Sequence, residues 1–126
     1  RKPTYHEFKH EDFLIEKTEG AAAKIILGKG SPILLQSDAT LKDISIEDGH
    51  AFQHTLNQGK TLALVVISGK GMVFDIQNGT KYYINKKDFA LIHAKQKGRI
   101  SIHADSTFRL AALEVPSQVS YPLYRN

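Results

Sequence analysis

Apolar residues recur along this chain in short runs, separated by turn-forming residues at intervals of roughly ten, which is the rhythm of strands and not of helices. The clearest block is Leu62 to His93, LALVVISGKGMVFDIQNGTKYYINKKDFALIH. Its apolar runs are broken at Ser68-Gly69-Lys70-Gly71, at Asn78-Gly79 and at Asn85-Lys86-Lys87-Asp88. Met72, Phe74 and Ile76 share one parity, and Tyr82/Ile84 and Phe89/Leu91 continue the alternation across each turn. The spacing predicts a meander of short antiparallel strands. Asn78-Gly79 predicts a type I′ hairpin turn, because both residues tolerate the positive φ which that turn requires.

The remaining chain reads the same way. Residues 1–20, RKPTYHEFKHEDFLIEKTEG, are charged and hold no single helical stripe, so an extended arm is expected, its aromatics packed on the body. Lys24–Leu27 reads as a strand and Gly28-Lys29-Gly30-Ser31-Pro32 as a loop, followed by strands at Ile33–Gln36 and Ala39–Glu47. In the last of these Leu41, Ile44 and Ile46 are expected inward. Asp48-Gly49 and Asn57-Gln58-Gly59 bound a strand at Ala51–Leu56. After a turn at Lys95–Gly98, Arg99–His103 and Thr107–Val115 are expected to form a final hairpin through Ala104-Asp105-Ser106. Pro116 and Pro122 bracket a tail that cannot be central strand, since each proline lacks the ladder donor. The tally is roughly nine or ten strands with no helix beyond two turns, which predicts an all-β sandwich or barrel. Residues 21–126 are expected to form a single domain behind the 1–20 arm.

With 126 residues, 41% of them hydrophobic, the chain can close one core. No apolar run reaches the length of a membrane span, about eighteen residues, so no membrane partner is expected. The absence of cysteine rules out disulfides and thiolate metal sites, and a cytoplasmic location is the corresponding expectation. The net charge of +4 comes from scattered residues; Lys86-Lys87 and Lys95 with Lys97 are the only local clusters, and no nucleic-acid partner is expected.

The run VVISGKGMVFDIQNGTKYYINKKDFALI resembles the cupin pattern, in which a strand ends at an sGxg turn, an nG turn follows and a third turn reads Pro-x-Gly-Asp. Here the third turn is Asn85-Lys86-Lys87-Asp88, so only its Asp matches. More narrowly, the chain is similar to the C-terminal cupin half of pirin and quercetin 2,3-dioxygenase-like two-cupin proteins. Lys2-Pro3-Thr4-Tyr5 looks like the linker entering that half, and ISIHADSTFRLAALEVP looks like its closing hairpin. The resemblance implies a double-stranded β-helix jelly roll and a companion N-terminal cupin domain carrying three His and a Glu around a divalent metal.

The metal motif itself is not matched. Cupins place two His one residue apart on a strand, so that both imidazoles point the same way about 7 Å apart. This chain has His50 and His54, roughly 13 Å apart along a regular strand, no Glu between Glu47 and Glu114, and apolar Ala90 near the place of the last ligand. No metal and no cofactor are therefore expected; iron, zinc, manganese or nickel enters only if His50, His54 and His93 converge. The candidate ligand pocket comprises His50, Phe52, His54, Tyr82 and His93, with no catalytic residue assigned. Gly28-Lys29-Gly30-Ser31 lacks phosphate-loop spacing, and Ser68 lacks a nucleophile-elbow context. The expected function is a metal-free cupin with a structural or pairing role, dimeric through its open edges. The alternatives are a metal-dependent, dioxygenase-like enzyme with an irregular His set, and a small-molecule-sensing domain.

Overall fold

A computed structural model describes residues 13–28 and 39–117. Ten strands follow one another: β1 (Ile15–Thr18), β2 (Ala21–Leu27), β3 (Thr40–Ile46), β4 (Ala51–Leu56), β5 (Lys60–Ser68), β6 (Lys70–Asp75), β7 (Thr80–Asn85), β8 (Phe89–His93), β9 (Gly98–Ala104) and β10 (Phe108–Pro116). They form a six-stranded sheet in the order β1-β2-β3-β10-β5-β8 and a four-stranded sheet in the order β4-β9-β6-β7. Every pairing is antiparallel. No helix among the described residues is long and apolar enough to cross a membrane. The strand expected at Ile33–Gln36, the start of the arm and the tail around Pro122 lie outside the described residues.

From β3 onward the chain steps between the two sheets at almost every connection, and this corrects two expectations. Leu62–His93 is not a meander: β6 and β7 pair with each other, but β5 pairs with β8 in the other sheet. The final pair is not a hairpin either. β9 lies between β4 and β6, while β10 lies between β3 and β5. Alternation along a strand says which side chains share a face; it carries no information on which strand lies alongside. The result is a jelly roll, two sheets packed over one core.

Burial also reassigns several faces. In β6 the inward set is Gly71, Val73 and Asp75, so Met72 and Phe74 face outward, and Ile76 beyond the strand is exposed. Phe89 and Leu91 likewise point out of β8, while Ile92 is buried. Ile44 and Ile46 are in the core as expected, whereas Leu41 is only half-buried, opposite Leu113 on the outer parity. The core consists of Ile44, Ile46, Leu56, Leu62, Leu64, Val73, Ile100, Ile102, Phe108 and Leu110, all less than 2% exposed. The end of the arm joins the sheet: β1 turns at Gly20, with φ of 71°, and pairs along β2. Pro116 is the last residue of a central strand, where its missing donor interrupts nothing further along.

Two turns depart from the usual residue choices. The β6–β7 connection is four residues long, and only Gly79 has positive φ, 69°. The type I′ turn is displaced because Asp75 holds the loop, accepting from the Asn78 side chain at 2.8 Å while its carbonyl accepts from the Gly79 N–H at 2.8 Å. At the β7–β8 turn Lys87 has φ of 78°, the single non-glycine with positive φ among the described residues. The turn is tied by Asp88, whose carboxylate accepts from the Asn85 N–H at 2.8 Å. A side chain in the left-handed region crowds its own backbone, so Lys87→Gly is expected to raise stability by about 1 kcal/mol. Urea denaturation of the two proteins checks this, and an unchanged or lower midpoint contradicts it.

Candidate functional site

Strand parity places charge inside the barrel. Lys42 follows the same inward parity as Ile44 and Ile46, and Glu114 that of Leu110 and Ala112. His54 lies between Phe52 and Leu56 on the inner face of β4. The His54 Nε2–H donates to Glu114 Oε1 at 2.8 Å, and the two side chains are 7% and 12% exposed. Lys42 Nζ is 3.0 Å from Glu16 Oε1 and 5.9 Å from the centre of the Phe52 ring. Four ionisable groups from β1, β3, β4 and β10 thus form one network that runs from the core to the half-exposed carboxylate of Glu16.

Burial holds the His54 pKa below its ordinary 6.5, the largest influence, and the charge of Lys42 lowers it further; the hydrogen bond and charge of Glu114 and the charge of Glu16 oppose them. The imidazole is therefore neutral near pH 7, and its contact with Glu114 is a hydrogen bond to a carboxylate, not an ion pair. With Nε2 carrying the proton, Nδ1 retains its lone pair. A neutral imidazole oriented by a carboxylate is the arrangement of a general base.

Beside this network, at the end of the barrel where the β4–β5, β6–β7 and β8–β9 turns gather, lies a cleft of about 440 Å³. Leu56, Ile92 and Ile100 are among its apolar lining, and Asp75, Gln77, Asn78, His93, Lys95 and Gln96 among its polar lining. His54 is the cross-strand partner of Ile100, and Leu56 is two residues beyond it on the same face. The His54–Glu114 pair thus sits one strand position behind the lining of the cleft.

The residues singled out from sequence separate in space. His50 is at the opposite end of the barrel, its Nδ1–H donating to the Asp48 carbonyl at 3.2 Å and its ring against Gly20. Phe52 is buried beneath Lys42. Tyr82 is opposite Val73 on the inner parity of edge strand β7 but stays 39% exposed. His93 is at the cleft and bonds Thr61 Oγ1 at 2.7 Å. His50, His54 and His93 do not converge, and among the described residues no three His, Asp or Glu side chains are grouped to hold a metal ion. The donor set that the cupin resemblance implies thus does not fit the described residues. A Ser–His contact, Ser101 Oγ to His103 Nε2 at 2.9 Å, is on the outer face of the smaller sheet, where Ser101 also accepts from Gln53 at 2.7 Å and is itself buried.

Glu114 and Lys42 were not candidates on sequence. Their signal was nonetheless present, as a charged residue at an inward position of an alternating strand, a placement that is rare unless the charge is paired.

The fold, though not the site, has counterparts among known structures. No protein-family model matches the chain, and no curated protein matches it in sequence. Solved structures do. Quercetin 2,3-dioxygenase from Acinetobacter baumannii aligns with a TM-score of 0.74 at 17% identity, over 97% of this chain and 43% of that one. The nucleoside dehydratase Pac13 of Streptomyces aligns at 0.67 and 18%, over 90% and 83%. Ectoine synthase from P. lautus aligns at 0.58 and 19%, over 84% and 70%. The chain has the cupin fold. It spans less than half of the dioxygenase and about four fifths of the dehydratase. The expected jelly roll is thereby established, while the likeness to a pirin-type half is loose.

Proposed function

We propose that this cupin is metal-independent, binding a small molecule in the mouth of its barrel and moving a proton on it with the His54–Glu114 pair. The observation that carries this reading is the buried 2.8 Å hydrogen bond between a neutral imidazole and a carboxylate beside an open cleft. For a substrate that reaches past the Leu56–Ile100 lining to His54, its C–H or O–H proton passes to Nδ1, and Glu114 stabilises the imidazolium so formed. Lys42, held by Glu16, adds positive charge to the same network. The same proton then leaves with a departing hydroxyl as water, or returns at a neighbouring atom, so the reaction class is elimination or isomerisation. That one of the aligned cupins is a nucleoside dehydratase, with structures containing uridine, supports a small polar substrate.

The test is proton exchange in D2O, with chelator present, over a panel of nucleosides, β-hydroxy carbonyl compounds and keto sugars. One compound is expected to exchange or lose water, and His54→Gln should slow it about 10²–10⁴-fold, the usual contribution of general acid–base catalysis. Turnover that survives in His54→Gln, or that needs added iron, zinc, manganese or nickel, would overturn the reading.

A pairing role is the second reading, and the outer face of the six-stranded sheet favours it. Phe89, Val65 and Ala111 form one cross-strand row there, and Leu91, Ala63 and Leu113 the next. Phe89, Leu91 and Val65 are 68%, 55% and 48% exposed. Contiguous apolar surface of this kind marks an interaction site in soluble proteins, and a second copy meeting it about a two-fold axis would bury the same rows on both sides. Light scattering at tens of micromolar is expected to give a dimer that Phe89→Glu converts to monomer. A monomeric parent protein would remove this reading and leave the first untouched.

A further inference from the structure

Asp75 is a buried carboxylate that the acid–base reading does not use. It ends β6, lines the cleft and is 5% exposed. Its polar atoms hold the turn that follows. Oδ2 accepts from the Asn78 side-chain Nδ2–H at 2.8 Å, Oδ1 from the Asn78 backbone N–H at 3.4 Å, and the Asp75 carbonyl from the Gly79 N–H at 2.8 Å.

Asn78-Gly79 is the single Asn-Gly pair in the sequence. Such a pair is chemically labile, because the backbone nitrogen of a glycine, unhindered by a Cβ, can attack the side-chain carbonyl carbon of the preceding asparagine. The N–Cγ bond forms, the C–N bond of the carboxamide breaks, and the proton of the attacking nitrogen leaves with the departing ammonia. A five-membered succinimide remains, and water opens it at either carbonyl to give aspartate or isoaspartate. No co-reactant besides water is needed, and Asn78 and Gly79 are both exposed to it.

The fold calls for both residues at this turn. Gly79 has φ of 69°, a conformation that disfavours a side chain, and Asn78 supplies the donors that Asp75 accepts. The same bonds oppose the reaction. Attack requires a freed nitrogen lined up with the carbonyl carbon, but the Gly79 N–H is engaged by the Asp75 carbonyl and the Asn78 carboxamide is pinned by the Asp75 carboxylate. We infer that Asn78 is a latent deamidation site, closed by Asp75 while the β6–β7 turn is intact and opened when the turn is lost. The product sets a carboxylate where Asn78 donated to Asp75, so two anions replace a hydrogen bond at the edge of the cleft and the turn does not re-form as before. The inference stands whether or not His54 acts as a base.

Peptide mass spectrometry of Asn78, with isoaspartate quantified, tests it on protein held at mildly alkaline pH. The folded parent should retain Asn78, and the same chain in denaturing urea should convert it at least about tenfold faster, the factor that one hydrogen bond to a charged group represents. Asp75→Asn should raise the rate in buffer by a similar factor, and hydrogen exchange at the Gly79 amide, slow in the parent, should quicken with it. Asn78→Asp, which supplies the product directly, should melt below the parent. Should Asp75→Asn fail to fold, the ratio of parent rates in urea and buffer and the protection of the parent's Gly79 amide decide the matter. Equal rates in buffer and urea, or an unprotected Gly79 amide, would overturn the inference. So would slower deamidation in a folded Asp75→Asn protein, which would make Asp75 the base that takes the Gly79 proton. An Asn78→Asp protein as stable as the parent would overturn the stated effect of the product on the turn.

Discussion

Glu114→Ala is expected to lower stability by about 2–3 kcal/mol, since it leaves the Nε2–H of a buried imidazole without its acceptor. It should also move the titration of His54 to still lower pH, because the hydrogen bond and charge of Glu114 are the main influences raising it. The sign of the linkage follows from burial. His54 binds a proton more weakly folded than unfolded, so stability is complete above the unfolded value of 6.5 and is lost as pH falls from there through the folded value. Removing Glu114 widens that window downward and deepens the total loss. Chemical denaturation across the acid range, with NMR of the His54 ring protons, measures both effects. Glu114→Gln keeps an acceptor and should lose less. If the His54 titration does not respond to Glu114→Ala, the pair is not coupled as described, and the catalytic reading loses its base.

A second large effect is expected at the other end of the barrel, where Phe108 is fully buried and its ring lies over Gly71. Phe108→Ala should cost about 3–5 kcal/mol, the range for emptying a core aromatic site. That is a large share of the stability of about 5–15 kcal/mol typical of a domain. Gly71→Ala should be comparably severe for another reason: its Cβ would strike the carbonyl oxygen of His103 as well as the Phe108 ring. The carbonyl belongs to the neighbouring strand, since Met72 pairs with His103 and Gly71 with Ala104. Combining Gly71→Ala with Phe108→Ala is therefore expected to give no rescue, because removing the ring leaves the backbone collision in place. Thermal unfolding of the two single variants and the double variant decides this. Recovery in the double variant would show that the ring, and not the strand, sets the limit at Gly71.

Strand identity and the all-β class were legible because alternation and turn residues are local properties. Thr40–Ile46, Ala51–Leu56 and Phe89–His93 coincide closely with the apolar runs that predict them. The inward face was less legible where both parities are apolar. Met72 and Phe74 are large and hydrophobic, yet Val73 is the buried member of that strand. With apolar side chains on both faces, the choice falls to whatever covers each face, and β6 is covered inside by the opposite sheet.

The candidate site was legible only in part. His54 stands out by its residue type, whereas nothing local ties it to its partner Glu114, sixty residues away in sequence. Local order along the chain was enough to specify short strands, their turns and an interior lacking the spacing of the family's metal ligands. Which strands became neighbours, and hence that His54 meets Glu114 while His50 and His93 go elsewhere, was settled by packing two sheets face to face. The physical reason is range: backbone preference and side-chain alternation act over a few residues, whereas a catalytic pair drawn from β4 and β10 exists only once the core between the sheets has closed.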